Sequence, residues 1–147
     1  MTEVVRSLVE QARLRRSVFL VDERTSAAVC RVAARYPDWA VPARAINQCR
    51  IASGALLHEL RGDGIAAKPL WLHGPRGDLR RAQQETRTVV EHLTVLVGLE
   101  VVDLTRRQWD AAAAHPMIYS DFQAVAIHWC AHYSPGAEPD DRPRFFD

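Results

Sequence analysis

Apolar positions repeat at three- and four-residue steps in four stretches of the chain and give way to dense β-branched runs between them. The first period fits the buried face of a helix, the second fits strands. Val5, Leu8, Val9 and Ala12 mark a helix over residues 3–15 capped by Thr2, followed by a short apolar run at 17–21. A second helix opens at Thr25 or Ser26 and carries Ala28, Val29, Val32 and Ala33 on one side. It must stop before Pro37, because a proline disfavours helical backbone in the residue ahead of it. Pro37, Asp38, Trp39 and Pro42 then form a turn-rich connection. The third helix places Ile51, Ala52, Ala55, Leu56 and Leu60 on one stripe, with Asn47 as its N-cap and Gly62 and Gly64 as its stop. In the fourth, over residues 116–134, Ser120 and Gln123 match a capping box ahead of Phe122, Val125, Ala126, Trp129 and Tyr133, and Pro135-Gly136 ends it.

Between the third and fourth helices the pattern is that of strands. Residues 65–72 read as one, with Pro69 indicating an edge position or a bulge. Residues 73–78 read as a loop, and residues 79–85 as a mobile stretch or a short helical turn. Residues 88–97 and 100–104 flank Gly98-Leu99 and predict a hairpin. A two-residue loop there pairs positions whose numbers sum to 197, so Asp103 lies opposite Thr94 and His92 is its diagonal neighbour on the same face, roughly 7 Å away at Cβ. A three-residue loop puts His92 and Asp103 on opposite faces. The sequence permits both registers.

These elements make one α+β domain over residues 1–136: helical support in 1–42, a core in 43–110 and a C-terminal helix. Residues 137–147 form a Pro- and Asp-rich tail that reads as flexible, although Phe145-Phe146 offers a docking point. At 147 residues the chain can bury a single core. Nineteen basic against 18 acidic residues leave a net charge of +1, so no global field recruits nucleic acid or an anionic membrane. No apolar run approaches the roughly 20 residues of a membrane helix, and the N-terminus lacks a secretory core, so the expected location is cytoplasmic. Export by a specialised secretion system would leave no trace in this pattern. Three widely spaced cysteines, Cys30, Cys49 and Cys130, suggest reduced thiols rather than a disulfide framework or a zinc site.

Candidate chemistry converges on Cys49. A thiol in the first turn of a helix meets free N–H groups and the positive end of the helix dipole, which favour the reactive thiolate. In the two-residue register His92 supplies an imidazole and Asp103 a carboxylate that fixes its tautomer, completing the parts of a nucleophilic site. Gln48 and the Cys49 N–H are candidate oxyanion donors. Thr105 and Gln108 read as braces for the Asp103 loop, and Trp109 as core or as a substrate wall. Cys30 reads as packing, as do Trp71 and Trp129. His128 and His132 share a helical face in this reading but lack a third ligand; His58 and His115 have no partner, and His73 borders the cleft at best. No metal and no cofactor is expected.

The ordered residues Gln48-Cys49, Glu91-His92-Leu93-Thr94-Val95 and Val101-Val102-Asp103 resemble the papain-like and transglutaminase-like thiol superfamily. Asp103-Leu104-Thr105-Arg106-Arg107-Gln108-Trp109 is similar to the Asp-x-Thr-x-x-Gln-aromatic ending of small bacterial papain-fold domains, toxin domains among them. The resemblance spans residues 47–109. It implies a nucleophile helix packed on an antiparallel sheet and cysteine-dependent acyl transfer on an amide of a protein or peptide, as peptidase, amidase or deamidase. Arg50 stands where papain-type peptidases often carry an aromatic residue, and no long helical domain builds a far cleft wall, which points to a narrow substrate. The same resemblance leaves two alternatives: a leader peptidase of peptide natural-product maturation, and a non-enzymatic binding, immunity or adaptor module. A cognate immunity or partner protein is a further expectation.

Overall fold

A computed structural model describes residues 22–146. The helix expected at 3–15 and the apolar run at 17–21 lie outside the described residues. Helix α1 (Glu23–Arg35) begins two residues earlier than Thr25, because Asp22 is the cap and accepts from the Arg24 N–H at 2.9 Å. Thr25 is buried against it. After a 3-10 turn (Pro37–Ala40) and the single turn α2 (Pro42–Ala45) comes α3 (Cys49–Gly62).

Helix α3 is the helix expected to begin at Cys49, with two corrections. Asn47 is not its cap: it adopts φ 60°, the left-handed conformation that Asn tolerates better than most side chains, and reverses the chain so that Gln48 enters the helix. Ile51 is not on the buried stripe but 61% exposed; Ala52, Ser53, Leu56 and Leu60 face inward. The helix stops at Gly64 (φ 74°), where Gly64 N–H bonds the Arg61 carbonyl and Ile65 N–H that of Leu60. This is the paired-bond ending that a residue free to adopt positive φ allows.

Six strands form one antiparallel sheet in the order β4-β3-β2-β1-β5-β6. They are β1 (Lys68–Pro75), β2 (His92–Val97), β3 (Glu100–Asp103), β4 (Met117–Tyr119), β5 (Trp129–His132) and β6 (Arg144–Phe145). Helices α1 and α3 cover one face through Val29, Val32, Leu56 and Leu60 packed against Val95, Val102 and Ile118. Each fully buried leucine there contributes about 1.5–3 kcal/mol. Leu70, Leu72, Leu79, Val101, Tyr119, Val125 and Trp129 form a second apolar cluster.

The region after α3 departs from expectation at three places. Strand β1 lies in the interior of the sheet rather than at an edge, yet its ladder with β5 starts only at Leu72, so the missing N–H of Pro69 costs no ladder bond. Residues 73–75 are strand rather than loop. Gly74 sits where a Cβ would come within 2.9 Å of the Cys130 Cβ, so its role is close strand approach. Residues 78–86 form a true helix, α4 (Asp78–Thr86).

The C-terminal helix over 116–134 is absent. Strand β4, the single turn α5 (Phe122–Val125) and strand β5 occupy its place. The cap of α5 is Asp121, accepting from Ala124 N–H at 2.9 Å, rather than Ser120. Pairing of residues 129–132 with β1 overrides the helical period. The tail expected to be flexible also has structure at its end: β6 pairs with β5, and Phe146 stacks on His132 at 4.6 Å, while Phe145 stays exposed.

Candidate active site

The β2–β3 hairpin fixes the acid–base pair. Val97 pairs with Glu100, Leu96 with Val101 and Val95 with Val102, which is the register of a two-residue loop. His92 and Asp103 therefore share a face, and His92 Nε2 lies 2.8 Å from Asp103 Oδ2. Both are buried, at 0% and 1% exposure, so water does not compete for this bond. Asp103 Oδ1 accepts from the Thr105 N–H at 2.9 Å and from its hydroxyl at 3.4 Å, and Gln108 Nε2 donates to that hydroxyl at 3.4 Å. Thr105 thus holds Asp103, and Gln108 holds Thr105.

The cysteine arrives from the other side. Ser53, one turn into α3, donates to the Leu93 carbonyl at 2.9 Å and so ties this helix to the strand residue next to His92. No side chain caps the start of α3 and no acidic residue lies in its first turn, leaving the positive end of its dipole uncompensated beside Cys49. With Nε2 engaged by Asp103, Nδ1 is the ring nitrogen left open. It closes no hydrogen bond of full geometry, yet the charge and hydrogen bonding of Cys49 act on the ring. Gln48 immediately precedes Cys49, half-buried, with its side chain making no capping bond.

Electrostatics follow from this packing. Burial pushes the Cys49 thiol up and the Asp103 charge adds to that. A hydrogen bond to His92, the imidazolium charge and a backbone hydrogen bond from Leu93 outweigh both, and bring the thiol below its ordinary value of 9.0. Burial alone would lower His92; the charge and hydrogen bond of Asp103, helped by Cys49, instead raise it to about 9. Asp103 is pushed up by burial but held below the ordinary carboxylate value by His92, the Thr105 N–H and Arg106. The His92 imidazolium and the Asp103 carboxylate are therefore favoured near neutral pH, and the Cys49 thiolate forms more readily than that of an ordinary cysteine.

An aromatic shell encloses the imidazole. Trp129 stacks on the His92 ring at 5.5 Å with planes 10° apart, and Trp109 meets it edge-on at 4.8 Å. Trp109 thus packs on His92, whatever else it touches. Trp129 was expected to be ordinary core, and its contact with His92 depends on strand β5 pairing with β1, the neighbour of β2, which no local pattern signals. Ser53 and Leu93 were missed for the same reason. Arg107 was missed as well: its Nε donates to the Ala113 carbonyl at 2.9 Å and its Nη1 to that of Ala40 at 3.1 Å, joining the acid-bearing turn to the segment that leads into Cys49.

The remaining candidates lie apart from this cluster. His128 Nδ1 shares a 2.9 Å hydrogen bond with the Tyr119 hydroxyl, and His132 stacks between Phe122 and Phe146, so they no longer share a helix. His73 lies on β1 against Tyr133 at 5.2 Å, and His58 is exposed on α3. No group of three or more metal-ligating side chains occurs among the described residues. No described helix is long and apolar enough to cross a membrane. Comparison of the chain with protein-family models, curated proteins and solved structures finds no match.

Proposed function

We propose that the protein is a cysteine-dependent acyl-transfer enzyme acting on an amide of a protein or peptide, with a core of the papain-like or transglutaminase-like kind. The observation that carries this reading is the buried, hydrogen-bonded His92–Asp103 pair from two strands beside the half-buried Cys49 at a helix start, close enough for thiol and imidazole to shift each other's ionisation. Packing alone does not require a buried His–Asp pair beside a thiol whose own pKa is lowered, since a buried ion pair is often no more stable than apolar residues of the same volume.

In this reading the Cys49 thiolate attacks the amide carbonyl carbon and its electron pair forms the C–S bond. The carbonyl oxygen takes up negative charge, which the Cys49 N–H and the Gln48 side chain stabilise. His92, protonated at Nδ1, donates that proton to the departing amine as the C–N bond breaks, leaving a thioester. A water or an amine then attacks the thioester with His92 accepting its proton, and Cys49 leaves as thiolate. Asp103 keeps Nε2–H of the ring directed away from the thiol throughout. Hydrolysis gives a peptidase, amidase or deamidase; an amine acceptor gives a transferase.

The similarity of residues 103–109 to small bacterial papain-fold toxin domains supports a setting as an effector or toxin acting on a particular protein. Mass spectrometry of the protein incubated with a substrate protein digest tests the chemistry. The expected result is a thioester adduct on Cys49 that hydroxylamine removes and that the Cys49→Ala protein never forms. Adducts distributed equally over the three cysteines would overturn it.

A further inference from the structure

Arg106 is 2% exposed, yet its Nε and Nη1 have no acceptor among the described residues, and its Nη2 meets only Asp78 Oδ2 at 3.6 Å, beyond hydrogen-bond distance. A guanidinium buried for structure spends its five N–H groups on carbonyls or carboxylates. This one does not, so what it contributes is charge. An apolar residue of the same volume would fill the space without the desolvation cost.

The charged and titratable groups around it are Asp78 at the start of α4, Asp103 at the end of β3, Tyr119 on β4 and His128 ahead of β5. Two of these are neutral near pH 7: burial, reinforced by Arg106, lowers His128 to about 4, and burial raises Tyr119 far above its ordinary range. Asp78 has a half-exposed side chain, so water screens it. Asp103 is the one buried anion among the four. It lies three residues away across the Thr105 turn, and its two oxygens are already occupied by His92 and Thr105.

We propose that Arg106 is a positioning residue of the candidate site: its buried charge acts on Asp103, and through the Asp103–His92 bond sets the electrostatic field in which Cys49 ionises. This deepens the acyl-transfer reading and rests on it. The field has a definite sign. Removing the positive charge leaves Asp103 less compensated and makes every proton of the array harder to lose, so the Cys49 thiol titrates at higher pH. The Asp78 carboxylate offsets the same charge from outside, so neutralising it shifts the thiol the other way.

The test is the pH profile of iodoacetamide labelling at Cys49 in the full chain, with folding followed by near-ultraviolet circular dichroism. Arg106→Gln is expected to move the acid limb up by about half a unit or more, roughly threefold slower labelling on that limb. Arg106→Lys, which keeps the charge but not the fork, restores the wild-type limb. Asp78→Asn, at an exposed side chain, moves it down, and carries the test if the Arg106 variants do not fold. An unmoved limb in Arg106→Gln or, where that variant does not fold, in Asp78→Asn leaves Arg106 with a structural role alone and overturns the inference, while the acyl-transfer reading stands. A wild-type Cys49 that labels no faster than Cys30 and Cys130 sinks that reading and this one together.

Discussion

The two arms of the site are built to opposite specifications. The acid–base arm is closed: His92 and Asp103 have no accessible surface, both carboxylate oxygens are engaged, and two tryptophans pack on the imidazole. The cysteine arm is open. Cys49 is half-buried, α3 begins without a side-chain cap, and the apolar side chains flanking it, Ile46 and Ile51, are 52% and 61% exposed. A fixed, dry proton carrier keeps its orientation and its raised pKa without reorganisation, whereas a nucleophile must meet a substrate. In the proposed acyl-transfer reading, the exposed apolar residues of the open arm are the surface a peptide would cover.

Substitutions on either arm test this contrast, and the largest effects fall on the reacting groups. Cys49→Ala should abolish turnover and thioester formation with little change in stability. His92→Ala should lower turnover by about four orders of magnitude and bring the labelling of Cys49 near pH 6.5 down toward that of the other two thiols. Asp103→Ala breaks the closed arm itself. A loss of roughly 3 kcal/mol or more in urea unfolding is expected, because a buried histidine loses its hydrogen-bonded carboxylate. Gln48→Ala acts on the open arm and should lower turnover about 100- to 1,000-fold while leaving the unfolding midpoint unchanged, the pattern of a group needed only as charge develops on the oxyanion. Stability and activity falling together in Gln48→Ala would show that the two arms do not differ as described.

Ser53→Ala should have the smallest effect. It removes the bond to the Leu93 carbonyl that joins the arms, and about 1 kcal/mol of stability with a few-fold loss in turnover is the expected outcome.

The contrast also explains what the sequence revealed. The closed arm was readable because a β-hairpin obeys parity: once Gly98-Leu99 forms a two-residue loop, the positions of His92 and Asp103 follow. The start of the open arm was readable only in part. The apolar stripe located α3, but the cap assignment failed because Asn serves both as an N-cap and as a left-handed turn residue, and Asn47 takes the second role. Residues 116–134 failed for a different reason. Phe122, Val125, Ala126 and Trp129 satisfy a helical period, yet the sheet partner that turns residues 129–132 into a strand is β1, more than fifty residues earlier in the chain. The contact of Trp129 with His92 exists only after that pairing, so no local pattern discloses it.

The pKa shifts set the pH dependence. His92 is raised from 6.5 to about 9, so its pairing with Asp103 contributes stability that is fully present below pH 6.5 and is lost as pH rises through about 9. Asp103 is lowered from 3.8, so its contribution is present above that value and fades as pH falls through the lower folded value. Unfolding midpoints measured across this range should therefore be highest between about pH 4 and 6.5 for the wild-type protein relative to a His92→Ala, Asp103→Ala double variant.

Most directly decisive is the rate of iodoacetamide labelling at each cysteine from pH 5 to pH 9, resolved by mass spectrometry in wild-type and His92→Ala proteins. A Cys49 that shares its proton with His92 should label faster than Cys30 and Cys130 already well below pH 8, and lose that advantage in His92→Ala. Equal, slow labelling of all three thiols below pH 8, unchanged by the His92 substitution, would contradict the account.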